Sequence, residues 1–183
     1  MAAVTVKRKG FGQVEPNHLS GIVTGQIYAQ LPADNTVFTS GILEQGMFVK
    51  YDMEAGKVNL SGDGEWLLVY NEEKLPDPLK QGHQYYAMRK GDMVDNVMVP
   101  RLIKTNVGDI YTTNTFEANT SDTAETTGVS IDVGTTFQVG SDGYLDVAVG
   151  TDQAPLEGMV WKAVKIYTMP DGKSQGVKLQ RIQ

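Results

Sequence analysis

The sequence predicts an all-β protein, a small β-barrel or β-sandwich built from short antiparallel hairpins. Helical periodicity is missing: no window of roughly eleven residues carries apolar side chains at i, i+3, i+4 and i+7 without a Gly or Pro breaking it. Short runs rich in Val, Ile, Tyr, Thr and Phe recur instead, each bounded by Gly, Pro, Asn or Asp. Most of the 20 glycines fall at those joints, where a chain that must reverse needs positive φ.

Taken in order, residues 1–21 hold few large apolar side chains, with Phe11 the single aromatic, and read as an extended N-terminal arm that orders against a partner. Residues 22–117 make the first β lobe, through GIVTGQIYAQL, GMFVKYD, KVNLS, EWLLVYNEE, QYYAMRK, DMVDNVMVPRLI and DIYTTNTF. A single helical turn is expected around Asp77 to Gln81, and Ser61-Gly62-Asp63-Gly64 forms a loose turn ahead of Trp66. The Ser, Thr and acid-rich stretch ANTSDTAETTG, 118–128, is an exposed loop or a break between lobes. Residues 129–183 follow as a second β segment, which either forms its own lobe or completes the same domain. Within it, Ser141-Asp142-Gly143 and Pro170-Asp171-Gly172 are tight-turn chemistry and predict two hairpins.

One pattern occurs twice. Gly46, Phe48, Val49, Tyr51, Asp52, Gly56 and Val58 lead to Trp66 and Tyr70; Gly134, Phe137, Val139, Asp142, Gly143 and Leu145 lead to Trp161 and Tyr167. Each copy reads as a hairpin with alternate residues on one face, followed by an aromatic-bearing strand that covers it. An old duplication and independent hairpins of similar build both account for it.

A chain of 183 residues buries a core without covalent staples, and it has no Cys with which to make one. No apolar run approaches the roughly 20 residues of a membrane helix, and the start MAAVTVKRKGFG lacks the apolar core of a secretion signal, so neither membrane insertion nor that export route is expected. The net charge of -6 argues against nucleic acid as a partner, because phosphate contacts need clustered Lys and Arg. That charge is divided: residues 1–20 carry +2, residues 160–183 carry +4, and the middle carries -12. Basic ends on an acidic body suit docking onto an acidic neighbour.

Catalytic, metal and cofactor patterns are not found. His18 and His83 have no Cys or second His at ligand spacing, and no G-x-S-x-G elbow, dinucleotide fingerprint or phosphate loop occurs. Asp52, Glu54, Asp63 and Glu65 lie close in sequence, yet Gly56 falls one place early for an EF-hand, leaving solvated turn acids as the expectation. Trp66, Tyr70, Tyr85, Tyr86, Tyr111, Tyr144, Trp161 and Tyr167 suit either stacking on a sugar or a β core, and the strand patterns around them favour the core.

The hairpin GMFVKYDMEAGKV, the strand DIYTTNTF, the second hairpin from Gly134 to Leu145 and the closing run from Trp161 to Ile182 together resemble small structural proteins of tailed-bacteriophage virions that decorate or cement the capsid. The likeness covers residues 40–183. It implies a noncatalytic protein, made in the host cytoplasm and placed on the capsid exterior, that bridges major capsid protein subunits. Such proteins often associate as trimers, with a terminal arm adding to a partner's sheet. Lys7, Arg8, Lys9 and Phe11 in the arm, with Lys173, Lys178 and Arg181 near the C-terminus, are the expected partner-binding residues. A tail, baseplate or head-fibre component, or a carbohydrate-binding β module, is the alternative.

Overall fold

The computed structural model describes residues 4–6, 10–72, 85–116, 129–148, 158–169, 172 and 174–183. The chain is all-β, and most of its strands lie in two antiparallel sheets, neither closed into a barrel. The larger sheet has six strands in the order β13 (Leu145–Val147), β12 (Thr136–Val139), β14 (Val160–Thr168), β15 (Gln175–Arg181), β10 (Ile110–Thr113) and β2 (Val14–His18). The smaller has five, in the order β3 (Ile27–Tyr28), β9 (Leu102–Ile103), β7 (Leu67–Val69), β5 (Phe48–Asp52) and β6 (Lys57–Asn59). Two strand pairs stand apart, β1 (Val4–Val6) with β11 (Val129–Ile131) and β4 (Ile42–Leu43) with β8 (Met88–Arg89). A single helical turn, α1 (Ser20–Val23), joins β2 to β3.

Strand alternation explains why the runs Phe48-Val49, Leu67-Leu68-Val69 and Leu102-Ile103 are apolar throughout. Phe48, Leu68 and Ile103 point into one core cluster with Tyr111, Phe137, Trp161, Val177 and Leu179 of the six-stranded sheet. Val49, Leu67, Val69 and Leu102 point the other way, into a second cluster with Phe38, Leu43, Met47, Met88 and Met98. The centre of the five-stranded sheet is thus buried on both faces, which demands continuous hydrophobic runs there. The six-stranded sheet is covered on its inner face, and lysines stand on the other side.

The N-terminal segment departs from expectation. Its described residues are not a free arm: Val4, Thr5 and Val6 pair with Ile131, Ser130 and Val129, and β2 pairs with β10. Val6, Phe11, Val14 and Leu19 are all buried, so the segment contributes to this chain's own core. Its polar residues are held by the polar strand beside it. The Gln13 N–H donates to Asn114 Oδ1 at 2.8 Å, and the Thr113 hydroxyl donates to the Gln13 carbonyl at 2.8 Å. Two separate lobes are not formed either: β2 and β10, which precede 118–128, share a sheet with β12 to β15, which follow it, so 129–183 completes the domain that 22–117 begins. Residues 118–128 themselves, and the helical turn expected at Asp77 to Gln81, lie outside the described residues.

The repeated pattern has a structural cause, and it occurs a third time. Glu44–Met47, Asn106–Asp109 and Asp132–Thr135 are four-residue turns with Gly third, at φ of 86°, 96° and 102° for Gly46, Gly108 and Gly134. In each, the glycine N–H donates to a carbonyl on a neighbouring strand, of Val69, Arg181 and Ala163 respectively, at 3.0, 2.8 and 2.7 Å. That same neighbour returns its N–H to the carbonyl of the turn's last residue, Met47, Asp109 or Thr135, at 2.8, 2.9 and 2.8 Å. The turn's first N–H donates to the last side chain, to Met47 Sδ, Asp109 Oδ2 and Thr135 Oγ1. Only a positive-φ residue lets the chain turn while giving its N–H to the neighbour, so glycine recurs. Each turn fixes the register of the strand it opens, and those strands deliver Phe48, Tyr111 and Phe137 around Trp161.

Three of the four outer edges of these two sheets are blunted. The outer side of β6 is covered by the chain at Pro32 and Asp34, where the Val58 N–H donates to the Pro32 carbonyl and the Asp34 N–H to the Val58 carbonyl, at 2.8 and 2.9 Å. Phe116 bridges to Leu145 on β13, and Pro16 interrupts the donors of β2. Such edges resist strand addition.

Candidate partner-docking site

The hairpin of β14 and β15 builds a cationic outer face, and a bulge decides which residues join it. Trp161 and Ala163 face the core while Lys162 is exposed. Simple alternation would then turn Lys165 and Tyr167 inward and Ile166 outward. The register shifts between Ala163, opposite Leu179, and Lys165, opposite Lys178. This bulge inserts the partly exposed Val164 and reverses the parity, so Ile166 packs on the core and Lys165 and Tyr167 face out.

Lys165 and Lys178 stand directly opposite each other across the two strands, an arrangement that costs stability when like charges meet. Both ammonium groups lie over the Tyr167 ring, at 5.9 and 5.5 Å from its centroid, which offsets part of that repulsion. Tyr167 is opposite Gly176, and its hydroxyl bonds to Thr112 on β10, one strand beyond. The ring therefore lies across β15, over the glycine. Because the Thr112 hydroxyl donates to Asn17 Oδ1 at 2.6 Å, it accepts from Tyr167, and the relay spans four strands from β14 to β2. Among the described residues, Lys165 and Lys178 have no carboxylate partner, whereas Lys57 pairs with Asp34 at 3.3 Å and Lys104 with Glu65 at 2.5 Å. The hydrogen bond that Lys104 donates to Glu65 also raises the Lys104 pKa.

Gly176 keeps this floor flat. A Cβ there would stand 2.2 Å from Met169 Sδ and 3.2 Å from Thr112 Cγ2. Gly176→Val is expected to lift Met169 and Tyr167 off the sheet, lowering stability by about 1–3 kcal/mol as overpacking does. The check is an NMR comparison of the Tyr167 ring signals, and unshifted signals would contradict the placement.

The residues singled out from sequence fare differently. Lys178 lies on this face. Arg181 does not serve it: its guanidinium donates to the Thr105 carbonyl and, at 3.0 Å, to Thr105 Oγ1, while Nε donates to the Gln183 carbonyl at 3.0 Å. Burial lowers the Arg181 pKa. Phe11 is buried beneath the Arg89 guanidinium, 4.9 Å from its ring, and walls a recess of about 420 Å³ with Phe38, Met47 and Tyr144. As a folded core residue it is withdrawn from partner contact. Lys7, Arg8, Lys9 and Lys173 lie outside the described residues. Lys165 was not among the residues singled out from sequence, and Tyr167, expected in the core with the other aromatics, lies instead on the outer face beneath the two lysines. The available signal was Lys165-Ile166-Tyr167, which inverts the alternation that Trp161 and Ala163 set up.

The other candidate groups have local roles. Asp52 accepts from the Ala55 N–H at 2.8 Å and from Asn59 Nδ2 at 3.0 Å, and Asn59 caps the Gly62 N–H at 2.7 Å, so these residues shape the turn. Among the described residues no three His, Cys, Asp or Glu side chains converge as a metal site. Tyr86, Tyr111 and Trp161 are buried, and burial pushes the Tyr111 hydroxyl pKa well above its usual value. Tyr85, 43% exposed, is the most open of the described aromatics. Comparison with protein-family models, with curated proteins and with solved structures finds no match to this chain.

Proposed function

We propose that this chain is a noncatalytic structural protein of a tailed-bacteriophage virion, which decorates the capsid and bridges major capsid protein subunits through the outer face of β14 and β15. The observation that carries the reading is the opposed Lys165–Lys178 pair, without a carboxylate partner among the described residues, on a chain whose net charge is -6. A protein gains nothing in stability by setting two lysines face to face, whereas a docking surface gains an electrostatic match that steers encounter and selects acidic partners. The blunted edges favour docking by this face over strand addition. Many weak contacts of this kind, repeated over a shell, sum to durable attachment.

Co-sedimentation with undecorated phage heads tests it. Wild-type protein is expected to saturate the particles, more weakly at higher salt because exposed charges are screened. The double charge reversal Lys165→Glu, Lys178→Glu is expected to bind at least about tenfold more weakly. Equal occupancy by the two proteins would refute the assignment of this face.

A further inference from the structure

We propose that the lysine–tyrosine face takes the carboxylates of a short acidic polypeptide segment lying extended across β14 and β15; this rests on the reading of that face as the docking surface. Three features select the chemistry. The cations are lysines, Lys162, Lys165 and Lys178, so the face offers separate point charges and not the fork that grips one phosphate in two places. In an extended strand, carboxylates two residues apart point the same way at a spacing of roughly 7 Å, within reach of two flexible lysine side chains on neighbouring strands. Between the charges lies the Tyr167 ring, which gives the methylene groups of a glutamate an apolar surface.

Charge extent excludes long polyanions. Residues 21–159 carry -12, and at physiological salt charges act over only about 8 Å. A short acidic segment stays within the cationic face, while a long phosphate polymer would also run over the acidic body.

The role of Tyr167 follows from its bonding. Because its hydroxyl is tied to Thr112 and through it to Asn17, the ring is fixed beneath the ammonium groups before any partner arrives. Preorganisation of this kind lowers the ordering cost of binding.

The test uses the full chain and three probes: the peptide Thr-Glu-Thr-Glu-Thr-Glu-Thr, its Thr/Gln counterpart, and inorganic tripolyphosphate. Binding is followed by amide chemical shifts of residues 160–168 and 175–181. The glutamate peptide is expected to shift these amides, and the glutamine peptide is expected to leave them in place. Binding should be about tenfold weaker in Lys165→Gln, Lys178→Gln. That variant removes a like-charge contact and keeps its fold, which its melting temperature verifies. Equal binding of both peptides, tighter binding of tripolyphosphate, or undiminished binding by the variant would overturn the proposal. Phage-head binding in parallel separates the two claims: heads bound through this face without peptide binding sinks the carboxylate assignment alone, and peptide binding without head binding sinks the decoration reading alone.

Discussion

Alanine at Trp161 is expected to cost about 3–5 kcal/mol of stability, the range for deleting a large buried aromatic. Trp161 is wholly buried, its ring 4.8 Å from Tyr111 and 6.0 Å from Phe48 by centroids, and its backbone sits opposite Phe137 on β12 and Arg181 on β15. It is where three of the glycine-opened strands converge. Since domains are stable by only about 5–15 kcal/mol, the loss should bring the variant near its folding limit. In urea, the midpoint should fall by about 1–2 M with an unchanged slope. Trp161→Phe should cost much less, because the ring is kept and a buried indole N–H without a hydrogen-bond partner is removed with it. Similar losses for the two variants would contradict the placement of this ring at the centre of the core.

Gly143→Ala is expected to cost more than Gly56→Ala, although both glycines have positive φ, 84° and 64°. Around Gly56 a Cβ meets open space, so only the backbone penalty of about 1–2 kcal/mol applies. At Gly143 the Cβ would stand 2.3 Å from the Phe48 carbonyl oxygen and 3.0 Å from Leu60 Cδ2. The Phe48 N–H donates to the Gly143 carbonyl at 2.7 Å, so the tip of the second hairpin is bonded to the start of the first. Any side chain at 143 must push the two hairpins apart, opening the core between the sheets. Thermal melts of the two variants side by side measure the difference; equal melting temperatures would refute the contact.

The hairpins were legible because turn chemistry is local. Ser141-Asp142-Gly143 joins β12 to β13, and β5 pairs with β6 across Met53 to Gly56, each where glycine and acid marked a reversal. The all-β class followed from the same signals. Less legible was the N-terminal segment, since VEPNH reads as polar chain with little to bury. It folds because the end of β10 and the two residues after it form a run of buried polar residues, Thr112 to Thr115, whose hydroxyl and amide groups supply the partners. Hydropathy is blind to such matching, for it scores each residue without its neighbour across the sheet. The third glycine-led turn, Asn106–Asp109, was hidden similarly: its hallmark is a bond to Arg181, far along the chain.

The docking face was half visible. Lys178 stood out as part of a basic C-terminal region, but its meaning depends on Lys165, and that pairing exists only because a bulge inserts Val164. Strict alternation would have hidden Lys165 in the core, where an ammonium group costs far too much to be left unpaired. A lysine and a tyrosine flanking an isoleucine at reversed parity is the mark such a bulge leaves in sequence.

Lysine footprinting on decorated heads tests the central claim most directly. Acetylation rates of Lys162, Lys165, Lys178, Lys57 and Lys104 would be compared for free protein and for protein bound to phage heads. Binding is expected to slow modification of Lys165 and Lys178 by at least about tenfold, as burial at a contact would, while Lys57 and Lys104, held by Asp34 and Glu65, change little. Protection of Lys57 or Lys104 with Lys165 and Lys178 still open, or no attachment to heads at all, would contradict it.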